Sequence, residues 1–318
     1  MRPTPLLSPR IAQGSGLRAQ GDCPEPTARS PQPRNVRALL QAGVTRLKRV
    51  GLDHARHEVE WLLGRLLRVR RPELYLSEEP VPVETTRQFW MQLDQRAKGV
   101  PLQYLLEEAE FYGLPFTVAP GVFIPRPETE TIVEAALTAL RTLEARRRRP
   151  LRVLDAGTGS GCIAATLSRL LPTCVVVGVE LSWDALHIAA MNVRRHGLSS
   201  RVRLVQGHWL EPIRGTCDGL VSNPPYIPSA VVDHLPLDVR HEPRASLDGG
   251  PDGLRVLAHL MTQAADVLTP GGVLVLECGE GQVGTLVEKA SAMRWVKRIT
   301  PLCDLASRPR GILVTRQT

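Results

Sequence analysis

The chain has 318 residues, 43% of them hydrophobic and 23% charged, with a formal net charge of +8. That length allows one large or two ordinary domains, and that apolar fraction supplies real cores, which excludes a wholly disordered or fibrous protein. No apolar run is long enough to span a membrane, and the cysteines at 23, 162, 174, 217, 278 and 303 show neither metal-ligand pairs nor a disulfide framework. A reduced, cytoplasmic setting follows as the expectation, with no bound metal and no membrane attachment.

Residues 1–33 hold many Pro, Ser, Gly and Arg, few acids and no apolar periodicity, so they read as a disordered tail. Their acid-poor composition is that of a transit peptide, but the prolines and glycines oppose an amphipathic helix, leaving a flexible tail or an overextended start as the expectation. From 34 to 108 the pattern changes. Val36, Leu39, Leu40, Val44, Leu47 and Val50 recur at helical spacing, Val59, Leu62, Leu63, Leu66 and Leu67 do so again, and 85–97 gives a third helix. Pattern alone makes this bundle a packing or oligomerisation module. Gly113, Pro115, Pro120 and Gly121 mark residues 109–124 as a hairpin linker. Pro127 followed by acids is helix-initiation chemistry, and the run Arg146, Arg147, Arg148, Arg149 reads as a solvated connection.

Residues 125–318 alternate strands and helices, which makes a mostly parallel sheet. The apolar stretch 151–154 is a buried strand, and a helix begins at Cys162; between them lies Asp155-Ala156-Gly157-Thr158-Gly159-Ser160-Gly161. In such a turn glycines permit positive φ and remove the Cβ atoms that would block a ligand. The spacing is G-x-G-x-G, not the G-x-G-x-x-G of dinucleotide enzymes. The loop therefore reads either as a tight connection or as the cradle for the methionine part of S-adenosylmethionine. A second strand, 174–179, ends at Glu180, about twenty residues past the loop, where doubly wound folds place a carboxylate on ribose hydroxyls. Its alternative role is to cap the helix 183–196, beside Ser182 and Asp184. A third strand, 202–205, leads to Gly207, His208 and Trp209; Trp209 either lines an adenine pocket or closes the core beneath a loop. A fourth, 219–222, delivers Asn223-Pro224-Pro225-Tyr226 to the same edge. Residues 233–252 form a loop over the site, 254–268 a helix and 272–276 a further strand.

The last tetrapeptide is an ordinary loop signal by itself, but its residue types suit one kind of chemistry. An amide or exocyclic amino nitrogen is a poor nucleophile because its lone pair is delocalised, so a site must orient it. The Asn223 side-chain oxygen and the Pro224 carbonyl can each accept one N–H, Pro225 stiffens the turn, and Tyr226 can stack on the planar group. Alignment of two bound reactants supplies roughly 7–11 kcal/mol of barrier lowering. With the glycine turn upstream, the expectation is methyl transfer from S-adenosylmethionine to nitrogen.

Phe111-Tyr112-Gly113, then Phe123-Ile124-Pro125-Arg126-Pro127-Glu128-Thr129-Glu130, the glycine turn, Asn223-Pro224-Pro225-Tyr226 and Leu276-Glu277 resemble the bacterial release factor glutamine methyltransferases, from about residue 34 to the end. The Asn-Pro-Pro-Tyr motif is shared with adenine-N6 and guanine-N2 methyltransferases; the Ile-Pro-Arg-Pro-Glu-Thr-Glu segment is far more selective and favours a protein substrate. The resemblance implies a Rossmann-like class I methyltransferase fold with a small N-terminal helical domain that helps recognise the partner. It implies methylation of the side-chain nitrogen of the glutamine in the Gly-Gly-Gln motif of peptide chain release factors. Gly157, Thr158, Gly159, Ser160, Gly161, Glu180, Trp209 and Asn223 would contact the cofactor, Asn223, Pro224, Pro225 and Tyr226 would hold the glutamine, and Phe123 and the segment 126–130 would flank the channel. Two positions depart from the family: His208 stands where an aspartate often faces the adenine amino group, and Glu107 where glycine is common. Two other readings stay open, a nucleic-acid amino methyltransferase and a catalytically silent adaptor. Against the first, no aromatic-and-basic segment is large enough to read a duplex or trap a flipped base, so no stable nucleic-acid binding is expected. Against the second, the glycines, Glu180 and Asn223 are all present.

Overall fold

Asn35 closes the amino end of the first helix, its side chain accepting the Ala38 N–H at 2.7 Å. The protein is represented by a computed structural model that describes residues 35–76, 79–147 and 149–318. The reading of residues 1–33 as a tail lies outside the described residues, as does Arg148. Helices α1 (Val36–Arg49), α2 (Ala55–Leu67), α3 (Val83–Ala97) and α4 (Leu102–Leu106) form a bundle with its own core, centred on Leu39, Leu47, Val59, Leu62, Phe89 and Leu93. Arg96 is buried at its edge because Glu58 meets its guanidinium with both oxygens, at 2.6 and 3.0 Å.

Strands β1 (Glu108–Phe111) and β2 (Leu114–Thr117) pair antiparallel through Tyr112 and Gly113, whose φ values of 54° and 69° are those of a two-residue hairpin turn. The hairpin is packed down, not a free linker. Phe111 and Phe116 enter the core of the large sheet, and Asn192 accepts the Thr117 N–H at 2.7 Å while donating to the Thr117 carbonyl at 2.9 Å.

The large sheet comprises β3 (Arg152–Ala156), β4 (Val175–Glu180), β5 (Val202–Gln206), β6 (Cys217–Ser222), β7 (Leu268–Glu277), β8 (Val296–Cys303) and β9 (Pro309–Arg316), in the order β5-β4-β3-β6-β7-β9-β8. The first five are parallel, and β9 runs antiparallel to both neighbours. β6 is buried at every position, as a central parallel strand covered on both faces must be. Helices α5 (Thr129–Glu144), α6 (Cys162–Leu170) and α7 (Trp183–Arg195) cover one face; α10 (Arg255–Val267) and α11 (Val283–Ser291) cover the other. Two short helices, α8 (Ser229–Val232) and α9 (Leu237–Arg240), lie in the loop after β6.

The arginine run is not merely a solvated connection. Arg149 grips Asp218, at the foot of β6, through two bonds of 2.8 Å, and Arg147 reaches the Pro270 carbonyl at 2.8 Å. Burial opposes ionisation of Asp218, but Arg149 and the Arg152 N–H outweigh it and hold the carboxyl below its ordinary range.

Candidate active site

The chain winds outward from β3 through β4 to β5, then returns to start β6 on the other side of β3. Between β3 and β6 the strand order reverses, and open α/β sheets form their crevices at the carboxyl ends of such a pair. The glycine turn leaves β3 there and Asn223 leaves β6. A cavity of about 1200 Å³ opens at this point, lined by Gly157, Thr158, Gly159, Ser160, Glu180, Trp209, Asn223, Pro225 and Phe123.

The turn is held from below. The Val179 carbonyl accepts the N–H of both Gly157 and Thr158 at 2.9 Å. Asp155, fully buried, accepts the Thr158 hydroxyl at 2.5 Å and the Ala164 N–H at 3.0 Å; burial pushes its carboxyl up to about 7, and those two bonds draw it back only in part. Gly157 has φ 74°, and a Cβ on it would stand 3.0 Å from the Trp209 ring. Gly159 has φ 55°, and a Cβ there would meet no protein atom within 4 Å because it faces the cavity.

Glu180 lies on the cavity wall and also beside the start of α7. One oxygen accepts the Gly159 N–H and the other the Ser182 N–H, each at 2.9 Å, while the Ser182 hydroxyl caps α7. The carboxylate is thereby fixed at the cavity wall with lone pairs to spare. The Trp209 ring packs against the core behind β7 and also faces the cavity across Gly157, from a backbone with φ 50°. His208 lines the same wall, its Nδ1 2.9 Å from Glu211 Oε1.

Asn223 donates its Nδ2 to Thr129 Oγ1 at 2.9 Å, which leaves the side-chain oxygen free to accept. Asn223 and Pro225 line the cavity with Pro224 between them in the chain, whereas Tyr226 and Gly161 do not line it. Tyr226 turns its hydroxyl to Glu277 at 3.2 Å and packs its ring on the core beneath, and burial raises its pKa. The stacking role read for Tyr226 is therefore not the arrangement seen. Gly161 instead meets α7, where a Cβ would stand 3.2 Å from that of Ala189. Phe123 lines the mouth, with the Arg126 guanidinium 5.1 Å from its ring centre.

The loop read over the site at 233–252 forms the roof of the cavity, but its anchor was not legible in the sequence. Pro243, Arg244, Ser246 and Asp248 line the cavity on the segment after α9, opposite His259 of α10. Glu242 anchors that segment, bonding Arg126 and accepting the Ile124 N–H at 2.9 Å; burial raises its pKa although the guanidinium opposes this. A single Glu among prolines and histidines carries no periodic signal. Thr129, inside the segment singled out as selective, was the available clue.

The family model described as PrmC N-terminal domain matches residues 38–106, and that described as Methyltransferase small domain matches residues 114–235. The chain is 44% identical over 285 residues to a protein of Moorella thermoacetica named release factor glutamine methyltransferase, covering 89% of this chain and 99% of that protein. A protein of Geobacter sulfurreducens with the same name is 42% identical, covering 87% of this chain and 94% of its own length. Among solved structures, the hMettl16 catalytic domain in complex with MAT2A 3'UTR hairpin 6 is similar in fold, with TM-score 0.50 and 16% identity over 71% of this chain and 81% of that one.

Proposed function

Because the chain belongs to the release factor glutamine methyltransferase family, we propose that it transfers a methyl group to the side-chain nitrogen of the glutamine in the Gly-Gly-Gln motif of peptide chain release factors. The observation that carries this reading is the Asn223 amide, held by Thr129 with its oxygen free, in one cavity with the glycine turn.

S-adenosylmethionine is the cofactor, and the residues present fit it. Gly159 leaves open space where any other residue would place a Cβ, Ser160 Oγ is buried without a partner among the described residues, Glu180 offers fixed carboxylate oxygens, and Trp209 offers an aromatic wall. When bound, the cofactor supplies an electrophilic sulfonium methyl group. The chain's own residues do the rest. The glycine turn and Glu180 hold amino-acid and ribose ends, Asn223 Oδ1 and the Pro224 carbonyl accept the two N–H groups of the glutamine amide, and the lone pair is thereby turned toward the methyl. Phe123 and the roof segment exclude water from the mouth. With no side chain assigned to deprotonate the nitrogen beforehand, the bond from sulfur to the methyl would break as the bond from nitrogen to the methyl forms, S-adenosylhomocysteine would be the leaving group, and the amide proton would pass to solvent.

A cytoplasmic location suits this partner, and among the described residues no helix is long and apolar enough to cross a membrane. We expect no stable nucleic-acid complex. The test incubates the purified protein with radiolabelled S-adenosylmethionine and a recombinant release factor, comparing Gly-Gly-Gln with Gly-Gly-Ala and offering nucleic acid in parallel. Label on the native factor alone is the expected result. Label on nucleic acid would replace this reading with an amino methyltransferase of DNA or RNA, and no label with cofactor bound would make the protein a silent adaptor.

A further inference from the structure

We propose that Glu277 is a positioning residue that fixes which end of the Asn223 amide faces the cavity, acting through the Thr129 hydroxyl. The inference rests on the orienting role proposed for Asn223.

Ser222 of β6 is paired with Leu276 of β7, so the next residues, Asn223 and Glu277, leave adjacent strands side by side. Thr129 opens α5 above both. Behind the half-buried Asn223 the other two are buried: Glu277 is 1% exposed and Thr129 2%. Glu277 Oε1 accepts the Tyr226 hydroxyl at 3.2 Å, whereas Oε2 is buried and makes no hydrogen bond of ordinary geometry among the described residues, although the Thr129 hydroxyl is close enough to lower the carboxyl's pKa. Thr129 Oγ1 accepts from Asn223 Nδ2, which leaves the threonine with one proton to donate.

A buried acceptor without a donor and a buried hydroxyl with a proton to place make a pair. While Glu277 is ionised it can only accept. The Thr129 proton then turns to it, the Thr129 lone pair turns to Asn223, and only the Nδ2 end of the amide can answer. Oδ1 is left facing the cavity, as a glutamine N–H requires. Once protonated, Glu277 can donate to Thr129, Thr129 can donate to Asn223, and the amide is free to reverse. Its Nδ2 end would then meet the N–H groups of the substrate, donor against donor.

The switch lies in an accessible range. Burial pushes the Glu277 carboxyl up to about 7; the Thr129 and Tyr226 hydroxyls pull it down, Glu128 raises it and Arg310 lowers it. Arg310 is itself shared with Asp304 at 3.0 Å and Glu128 at 3.8 Å, and the neighbouring Cys278 thiol is pushed up to about 12 by burial and by Glu277. A carboxyl raised in the fold is protonated below that value, so turnover falls as pH falls through about 7.

The test measures single-turnover methyl transfer to a release factor on both sides of that pH, with S-adenosylhomocysteine binding followed by calorimetry on the same samples. The wild type should lose rate on the acid side while holding the cofactor. Glu277→Gln should lose that acid limb and run about tenfold slower on the alkaline side, equivalent to about 1.4 kcal/mol. Thr129→Ser, which keeps the hydroxyl, should outrun Thr129→Val. A Glu277→Gln protein that turns over like wild type, or keeps the acid limb, overturns the proposal; so does Thr129→Val matching Thr129→Ser. Asn223→Ala separates the two levels. If it is slow while Glu277→Gln is not, only the positioning role fails; if Asn223→Ala is itself unaffected, the reading of Asn223 fails with it.

Discussion

Replacing Gly159 by alanine separates backbone strain from cofactor contact. At φ 55° a residue with a Cβ costs about 1–2 kcal/mol relative to glycine, and no protein atom within 4 Å adds to that. In a domain of this size each kcal/mol shifts Tm by about 2–4 °C, so the apo protein should melt about 2–8 °C lower. The new methyl points into the space assigned to the cofactor, where overpacking costs about 1–3 kcal/mol, equivalent to roughly 5- to 150-fold weaker binding. Gly161→Ala is the companion: φ is 80° and the Cβ would press on Ala189 at 3.2 Å, but the residue does not line the cavity. It should lose more stability and less affinity. Thermal unfolding and calorimetry with S-adenosylhomocysteine give both quantities on each variant. Gly161→Ala losing more affinity than Gly159→Ala would refute the placement of the cofactor over Gly159.

Asn223→Ala should retain cofactor binding while turnover drops on the order of a hundredfold, as for loss of one aligned hydrogen-bonding group; equal loss in both would count against the orienting role. Glu107 closes α4 with φ 57°, so Glu107→Gly should relieve about 1–2 kcal/mol of left-handed strain. About 0.5–1 kcal/mol returns to the unfolded chain, leaving a small rise in Tm that Glu107→Ala should not reproduce. Asp155 and Glu277 both rise to about 7, from ordinary values of 3.8 and 4.5. Between about pH 4.5 and 7 the folded chain therefore holds more protons than the unfolded one, and their joint contribution to stability is lost as pH rises through that window. Denaturant titrations of wild type, Asp155→Asn and Glu277→Gln should show this slope shrinking in each variant; an unchanged slope in both would refute the assignment.

The α/β fold was legible because its central strands are continuous apolar runs ending in turn residues, and 151–154 and 219–222 lie inside β3 and β6 or within a residue of them. The far edge was not. β8 alternates Lys297 and Arg298 with Ile299 and leaves many positions in water, so neither an apolar run nor a clean two-residue period survives. Glu107 departs from the glycine common at its position without departing in backbone, since it holds the left-handed turn that glycine favours. At the site, residue types pointed to the cradle and to Asn223, but not to the direction of Tyr226. A tyrosine after two prolines can face either way, and only the buried carboxylate of Glu277 settles which.

What Asn223 and Pro224 can orient is any planar nitrogen bearing two protons, so selectivity for one acceptor must come from access. The roof over the cavity is tied on two sides. Glu242 fastens it to Ile124 and Arg126 at the mouth, while Asp238 lies 3.6 Å from Arg96 and the His241 ring 3.4 Å from the Lys98 carbonyl, both on the helical bundle. Gly99 permits that seat, for a Cβ there would fall 2.3 Å from Leu237. Bundle, roof and mouth therefore hold their spacing as one packed unit, and an acceptor must reach between them on an extended loop. A glutamine on a flexible, glycine-flanked loop meets that requirement without distortion, whereas a base in a duplex would first have to be unstacked at a cost of a few kcal/mol.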